Sequence, residues 1–157
     1  CRIEVRQEYK EVFQMSRKYD NILVAVDGSK QSYDAVQEAL EVARRNQAKL
    51  KLLYVLNDKL ANIPVHLDTM TLYKSVQEHS DFVVEELHKR FEDQAKTLDI
   101  VRLTGTPKRE IVNYAQENNI DLIIIGSTGL DAIDRLLLGS TTQYVVNHAK
   151  CNVLVIK

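Results

Sequence analysis

The sequence predicts an α/β fold in which helices cover both faces of a five-stranded parallel sheet. Short apolar runs alternate with longer helical patterns along the 157 residues. The first run, Asn21–Val26, is continuously apolar, which is typical of a strand buried on both faces. All five glycines follow a predicted strand or begin the helix that leads into the last strand. We therefore expect them at the carboxyl edge of the sheet, where folds of this class bind ligands.

Composition limits the possible functions. The length suits one domain of roughly 100–200 residues. The net charge of −1 (21 Lys+Arg, 22 Asp+Glu) does not favour nucleic acid as a partner. No run approaches the roughly 18 apolar residues of a membrane span, and no signal peptide opens the sequence. Cys1 and Cys151 provide neither a disulfide framework nor a zinc site. We expect a cytoplasmic protein that binds neither nucleic acid nor membranes.

The first residues differ from the rest of the sequence. Apolar residues up to Phe13 recur at helical spacing, but no element nearby in sequence can pair with them. Met15 begins a segment typical of a translation start. We therefore interpret residues 1–17 as an N-terminal extension, with 1–14 added upstream or derived from an alternative start; a docking helix is the alternative. The predicted domain covers 18–157.

Three elements are predicted in the first half of the domain. Asn21–Val26 (NILVAV) is a continuously apolar strand. A helix is expected over 31–46, where apolar residues recur every three or four positions, and a second strand over 50–56. Residues 57–68 contain a proline and lack any period, which predicts a loop.

The middle of the chain predicts a long helix, a strand and a shorter helix. Residues 69–98 have one apolar stripe, formed by Leu72, Val76, Val83, Leu87 and Phe91. A third strand is expected over 100–103. Thr106 as N-cap and Pro107 at the first helical position are strong signals for a helix that runs to about residue 118.

The last part of the chain predicts two strands joined through a helix. Residues 121–125 (DLIII) form the fourth strand, and Ser140–His148 is a short helix. Asn152–Ile156 is the fifth strand. If this strand lies at a sheet edge, it exposes unpaired backbone groups that need a cover.

The glycine-rich segment after the fourth strand is the best candidate binding site. Gly126 and Gly129 bracket Ser127 and Thr128, and Gly139 leads into three hydroxyl residues at a helix start. Free N–H groups and the positive end of the helix dipole favour a phosphate there. The alternative is that Ser140 is only an N-cap. The other two glycines, Gly28 and Gly105, are equally compatible with tight turns.

These residues resemble a known family. The spacing of Gly126, Gly129, Gly139 and Ser140 matches the G-2x-G-9x-G-[S/T] signature of universal stress proteins. The segment NILVAVDGS, Leu52 to Val55, Gly105-Thr106-Pro107 and the closing strand resemble further parts of that family, over about 18–157. The resemblance implies an adenine nucleotide α-hydrolase-like (Rossmann-like) fold with strand order 3-2-1-4-5. It also implies a stress-response regulator of the ATP-binding branch.

The resemblance further implies a role for individual residues. Asp27 would contact the nucleotide near the ribose and phosphates, and Ala25 would line the adenine pocket. Val55 would give backbone hydrogen bonds to adenine, and Ile125 would lie beneath the base or ribose. The remaining ribose and phosphate contacts would come from two glycine-rich segments: Gly126, Thr128, Gly129, Gly139, Ser140, Thr141 and Thr142. Thr128 departs from the family, in which histidine or arginine is frequent, and this weakens the case for tight triphosphate binding.

Two partners follow from these assignments. Asp27 beside a polyphosphate is a like-charge contact unless a cation bridges the two, so we predict Mg²⁺ dependence for ATP, with Asp27 acting through nucleotide-bound Mg²⁺. In such families two closing strands pair across a two-fold axis. A homodimer is therefore predicted through the last strand: Val153, Leu154, Val155 and Ile156.

Other classes of nucleotide protein are less compatible with the sequence. No lysine follows a glycine pair as in a P-loop, and the residues after the third strand lack the acceptor aspartate of a receiver domain.

Surface or helix-end roles are expected for the four histidines: His66, His79, His88 and His148. Cys151 is expected to be a small buried residue. Because no nucleophile and base can be paired, we predict no catalytic residues; a weak ATP hydrolase and a dimeric scaffold with a vestigial pocket remain alternatives. Whether ATP, AMP or a cyclic dinucleotide is the ligand stays open.

Overall fold

The computed structural model describes residues 18–57, 69–94, 98–129 and 138–157, with the side chains of 69–73 left out. The predictions for 1–17, for most of the 57–68 loop and for His66 lie outside these residues, as does the side chain of Leu72. No helix within the described ranges is long and apolar enough to cross a membrane.

The described elements alternate between strand and helix as the sequence predicts. The strands are β1 (Asn21–Val26), β2 (Lys49–Asn57), β3 (Asp99–Gly105), β4 (Leu122–Gly126) and β5 (Asn152–Ile156). The helices are α1 (Lys30–Asn46), α2 (Thr69–Phe91), α3 (Pro107–Glu117) and α4 (Ser140–His148), with a 3-10 turn at Glu92–Gln94. The chain forms this order because continuously apolar runs and helical stripes follow one another in the sequence.

All strand pairs are parallel, and the sheet order is β3-β2-β1-β4-β5. The predicted strand order is confirmed. β1 lies at the centre, pairing with β2 on one side and β4 on the other. The connections leave β1 and β4 in opposite directions, so a crevice opens between the carboxyl ends of these two strands.

The sheet is buried on both faces. Successive side chains of a strand point to opposite faces. Ile22, Val24 and Val26 of β1 pack in one core cluster with α1 and α2, whereas Leu23 and Ala25 pack in a second with α3 and α4. Each of these side chains is at most 7% exposed. Burial on both faces explains why the central strands β1 and β4 are apolar throughout, whereas the edge strand β3 is partly exposed and contains Arg102.

Some helix boundaries differ from the prediction. The helix predicted over 69–98 ends at Phe91, and its stripe residues Val83, Leu87 and Phe91 are buried in the first core cluster. Thr106 is the N-cap of α3 as predicted, but it makes no side-chain capping hydrogen bond. The N-cap of α4 is Gly139 and not Ser140, so the interpretation of Ser140 as only an N-cap is wrong. Ser140 is instead the first helical residue.

Candidate functional site

A cleft of about 820 Å³ lies at the carboxyl edge of the sheet, at the point where the strand order reverses. Its lining includes all of the site residues named from the sequence: Ala25, Asp27, Val55, Ile125, Gly126, Thr128, Gly129, Gly139, Ser140, Thr141 and Thr142. Residues more than 100 positions apart in sequence therefore meet in one cavity. Whether each contacts a ligand stays a prediction.

One end of the cleft is apolar. Ala25, Val55 and Ile125 come from three neighbouring strands, and Pro107 and Ile111 from α3 also line the cavity. Ala25 and Ile125 are 7% and 5% exposed, so their surfaces are fixed by the surrounding second core cluster. This end offers apolar side chains with a strand backbone beside them, which suits an apolar heterocyclic base with hydrogen-bonding edges.

The other end is built from the glycine loop, which we define as residues 126–129, and the start of α4. Ser127 N donates to Ile156 O at 2.6 Å, and Gly139 N donates to Ser127 O at 2.8 Å. The Thr142 hydroxyl donates to Gly126 O at 2.7 Å. These bonds hold the helix start against the loop. The Thr142 hydroxyl already donates its proton to Gly126 O. The predicted phosphate contact of Thr142 would therefore be made by its backbone N–H.

The start of α4 offers hydrogen-bond donors to the cleft. Ser140, Thr141 and Thr142 occupy the first turn, where backbone N–H groups have no partner within the helix. All three residues line the cavity. The helix dipole adds partial positive charge at this end. Uncharged groups alone can therefore form an anion-binding site here.

The close approach of neighbouring atoms explains why the loop has glycine at positions 126 and 129. A Cβ atom at Gly129 would lie 2.6 Å from Oδ2 of Asp27, and one at Gly126 would lie 3.1 Å from the backbone carbon of Gln31. By contrast, Gly28 has φ +87° and a Cβ there would lie 2.8 Å from Val83 Cγ2, so the turn itself requires glycine. Gly28 and Gly105 are absent from the cleft lining, which favours the turn interpretation for both.

Asp27 supplies the negative charge of the cleft. Its Oδ1 accepts a hydrogen bond from Ser29 N at 2.9 Å, which fixes the carboxylate at the start of α1. Burial raises the pKa of the neighbouring Tyr54, and the charge of Asp27 raises it further, so the phenol stays neutral. Among the described lining residues there is neither lysine nor arginine. Within the described part of the site, the start of α4 supplies partial positive charge through the helix dipole.

The described residues contain no group of three His, Cys, Asp or Glu side chains that could hold a metal ion.

Several lining residues were not assigned to the site from the sequence. They come mainly from the face of α2 and from β2: Ser32, Tyr54, Asn57, Ser75, Val76 and His79. His79 is exposed, as expected for a surface residue, and it also lines the cleft with its ring near Gly28. No sequence signal identifies Ser75, Val76 and His79, because their place depends on how α2 packs across the end of β1. Tyr54 and Asn57 lie at the carboxyl end of β2, where the parallel-sheet prediction puts the ligand edge.

The other predicted candidates lie away from the cleft. His88 is exposed on α2, and Nδ1 of His148 lies 2.8 Å from Tyr144 O at the end of α4. Cys151 is only half-buried, which corrects the expectation of a buried residue. Packing against the second core cluster raises the pKa of its thiol.

Comparison with known proteins agrees with the geometry of the cleft. A family model described as the universal stress protein family matches residues 18–157. The chain belongs to the universal stress protein family. The family's glycine signature thus coincides in this universal stress protein with the glycine loop and the start of α4.

The relatives match over most of their length. A putative universal stress protein of Staphylococcus haemolyticus is 34% identical over 145 residues, which cover 88% of this chain and 85% of that protein. The structure of universal stress protein UspA from Lactobacillus plantarum is 38% identical, with a TM-score of 0.80, covering 90% of this chain and 100% of that one. A universal stress protein solved in complex with cAMP is 26% identical, with a TM-score of 0.67 and coverage of 90% and 99%.

Proposed function

We propose that this universal stress protein binds ATP or a related adenine nucleotide in the cleft and acts as a nucleotide-dependent regulator of a stress response in the cytoplasm. One observation carries the proposal: a single cavity joins an apolar surface at one end to the glycine loop and a helix N-terminus at the other. Its volume of about 820 Å³ lies within the usual range for small-molecule sites.

The chemistry of the cleft gives the orientation of the nucleotide. The base lies against Ala25 and Ile125, with the backbone at Val55 beside it. The phosphates lie at the start of α4, where the free N–H groups and the dipole favour negative charge. Asp27 lies between these ends, near the ribose and phosphates. When a triphosphate is bound, Mg²⁺ offsets the repulsion between Asp27 and the phosphates.

Two further observations support the proposal. The family match covers the whole described cleft, and a relative of 26% identity was solved with cAMP bound.

We expect nucleotide to be released when the purified protein is denatured by heat. Chromatography of the supernatant should give about one adenine nucleotide per chain if the site binds tightly, and mass spectrometry would identify it as ATP, AMP or a cyclic nucleotide. Protein stripped of ligand should show an increased melting temperature with Mg·ATP, because binding to the native state alone stabilises it. An empty supernatant together with no thermal shift would contradict the proposal and favour a vestigial pocket. Steady-state phosphate release would instead indicate the hydrolase.

We also propose that the protein is a homodimer through β5. This strand lies at one edge of the sheet, and Leu154 at its centre is 36% exposed.

Val153 and Val155 pack against the second core cluster, so charged substitutions there also threaten folding. Leu154→Asp is therefore the sharper variant, and we expect it to convert the dimer to a monomer in light scattering at micromolar concentration. Phe82→Asp, at a side chain 57% exposed on α2, is the control and should leave the dimer intact. A monomeric wild-type protein would refute the proposal.

A further inference from the structure

A side-chain hydrogen bond joins the glycine loop to the first turn of α1. The Thr128 hydroxyl donates to Oε1 of Gln31, although the two residues are 97 positions apart in sequence. Thr128 is 5% exposed and Gln31 is partly exposed, so the bond is partly buried. The surfaces are also in direct contact, because a Cβ at Gly126 would lie 3.1 Å from the Gln31 backbone.

The loop's other described hydrogen bonds go to a different part of the fold. Ser127 bonds to Ile156 of β5 and to Gly139, and Gly126 accepts from Thr142 of α4. Of the loop's described hydrogen bonds, the one from the Thr128 hydroxyl is the bond that connects the loop to α1. The turn that begins α1 also holds Asp27, through the hydrogen bond from Ser29 N. The Gln31–Thr128 bond therefore connects the two halves of the site, the Asp27 turn and the glycine loop.

We propose that Gln31 is a positioning residue for nucleotide binding and that its bond to Thr128 holds the glycine loop against the start of α1. This inference rests on the proposed function. The bond fixes the distance between Gly129 and Asp27, where a Cβ would already be only 2.6 Å from the carboxylate. Without it, the loop keeps its bonds to β5 and α4 but loses its tie to α1, and restricting the freed Thr128 end when the nucleotide binds lowers affinity.

The bond also defines what Thr128 does at the site. The hydroxyl proton points to Gln31 and not to a ligand, so Thr128 would contact the phosphates or ribose through its backbone.

The test compares Mg·ATP dissociation constants by calorimetry for four variants. Gln31→Met and Thr128→Val keep side-chain size but remove the bond, and each should raise Kd about three- to tenfold, the change expected for loss of one neutral hydrogen bond. The double variant should be no weaker than either single variant, because both remove the same interaction. Thr128→Ser keeps the hydroxyl and should regain most of the lost affinity.

Gln37→Met is the matched control. Gln37 lies on the same helix, is exposed, and donates from its side-chain amide to Gln94 Oε1 at 3.1 Å, remote from the cleft. Its loss should leave Kd unchanged. Hydrogen exchange of ligand-free protein provides a second readout: the amides of the glycine loop should exchange faster in Thr128→Val, while amides of the central strands remain protected.

The outcomes separate this inference from the proposed function. If the wild-type protein binds Mg·ATP but Gln31→Met and Thr128→Val bind it equally well, the positioning role is wrong and the proposed function stands. If the losses of Mg·ATP affinity in the two single variants add up in the double variant, the residues act independently. The bond is then not what positions the loop. If wild-type protein binds no adenine nucleotide, the proposed function is wrong, and the positioning role that rests on it is wrong as well.

Discussion

Replacing Gly129 with alanine is expected to weaken binding of an adenine nucleotide by about 10- to 100-fold, since overpacking at a closely fitted site typically costs about 1–3 kcal/mol. The added Cβ would lie 2.6 Å from Oδ2 of Asp27, so either the carboxylate or the glycine loop must move. Asp27 is held by Ser29 N, and the loop is held by α4 and β5. Both movements disturb the site. Calorimetry with Mg·ATP measures the change.

Gly139→Ala is the comparison that makes this result specific. A Cβ at Gly139 would meet its nearest atoms, in Thr128 and Ser127, at 3.4 and 3.5 Å, which is ordinary van der Waals contact. Both glycines belong to the same signature, yet we expect a much smaller loss of affinity at Gly139. Equal effects of the two substitutions would show that the short contact to Asp27 is not the reason for glycine at 129.

The strand order and the location of the site could be predicted because their signals lie in short segments. Continuously apolar runs identified the strands, since burial on both faces leaves no polar side to alternate with. The glycines identified the edge, since backbone must approach backbone there. Element ends were less predictable: the helix expected to reach residue 98 ends at Phe91. The stripe that predicts this helix gives no signal for its last turn.

Residues that reach the cleft through long-range packing could not be predicted. His79 lies on a helix whose pattern indicates only that one face is buried, and its place beside Gly28 depends on how α2 crosses the end of β1. Gln31 is one polar residue among several at a helix start. The side-chain bonds of Thr128 and Thr142 likewise depend on which backbone or amide group folding places beside each hydroxyl. Spacing in the sequence contains no such information.

Removal of Mg²⁺ is expected to weaken ATP binding by about 10- to 100-fold, since like charges a few ångströms apart at a protein surface repel by a few kcal/mol. The described lining has Asp27 as its carboxylate and contains neither lysine nor arginine to offset the phosphates. AMP has fewer charges and should depend much less on the ion. Titrations of both nucleotides with Mg²⁺ and with a chelator measure the difference. Equal ATP affinities in the two conditions would contradict a bridging cation.

Asp27→Asn separates the charge of this residue from its structural role. The amide oxygen can still accept from Ser29 N, so the turn that begins α1 is kept, whereas Asp27→Ala loses both the charge and the turn bond. If the carboxylate acts through Mg²⁺, Asp27→Asn should bind ATP more weakly than wild type with Mg²⁺ and more tightly than wild type without it. A purely structural residue could not reverse the order of affinities in this way. Reversal in Asp27→Asn, with weakening under both conditions in Asp27→Ala, would therefore assign the Mg²⁺ effect to the charge on Asp27.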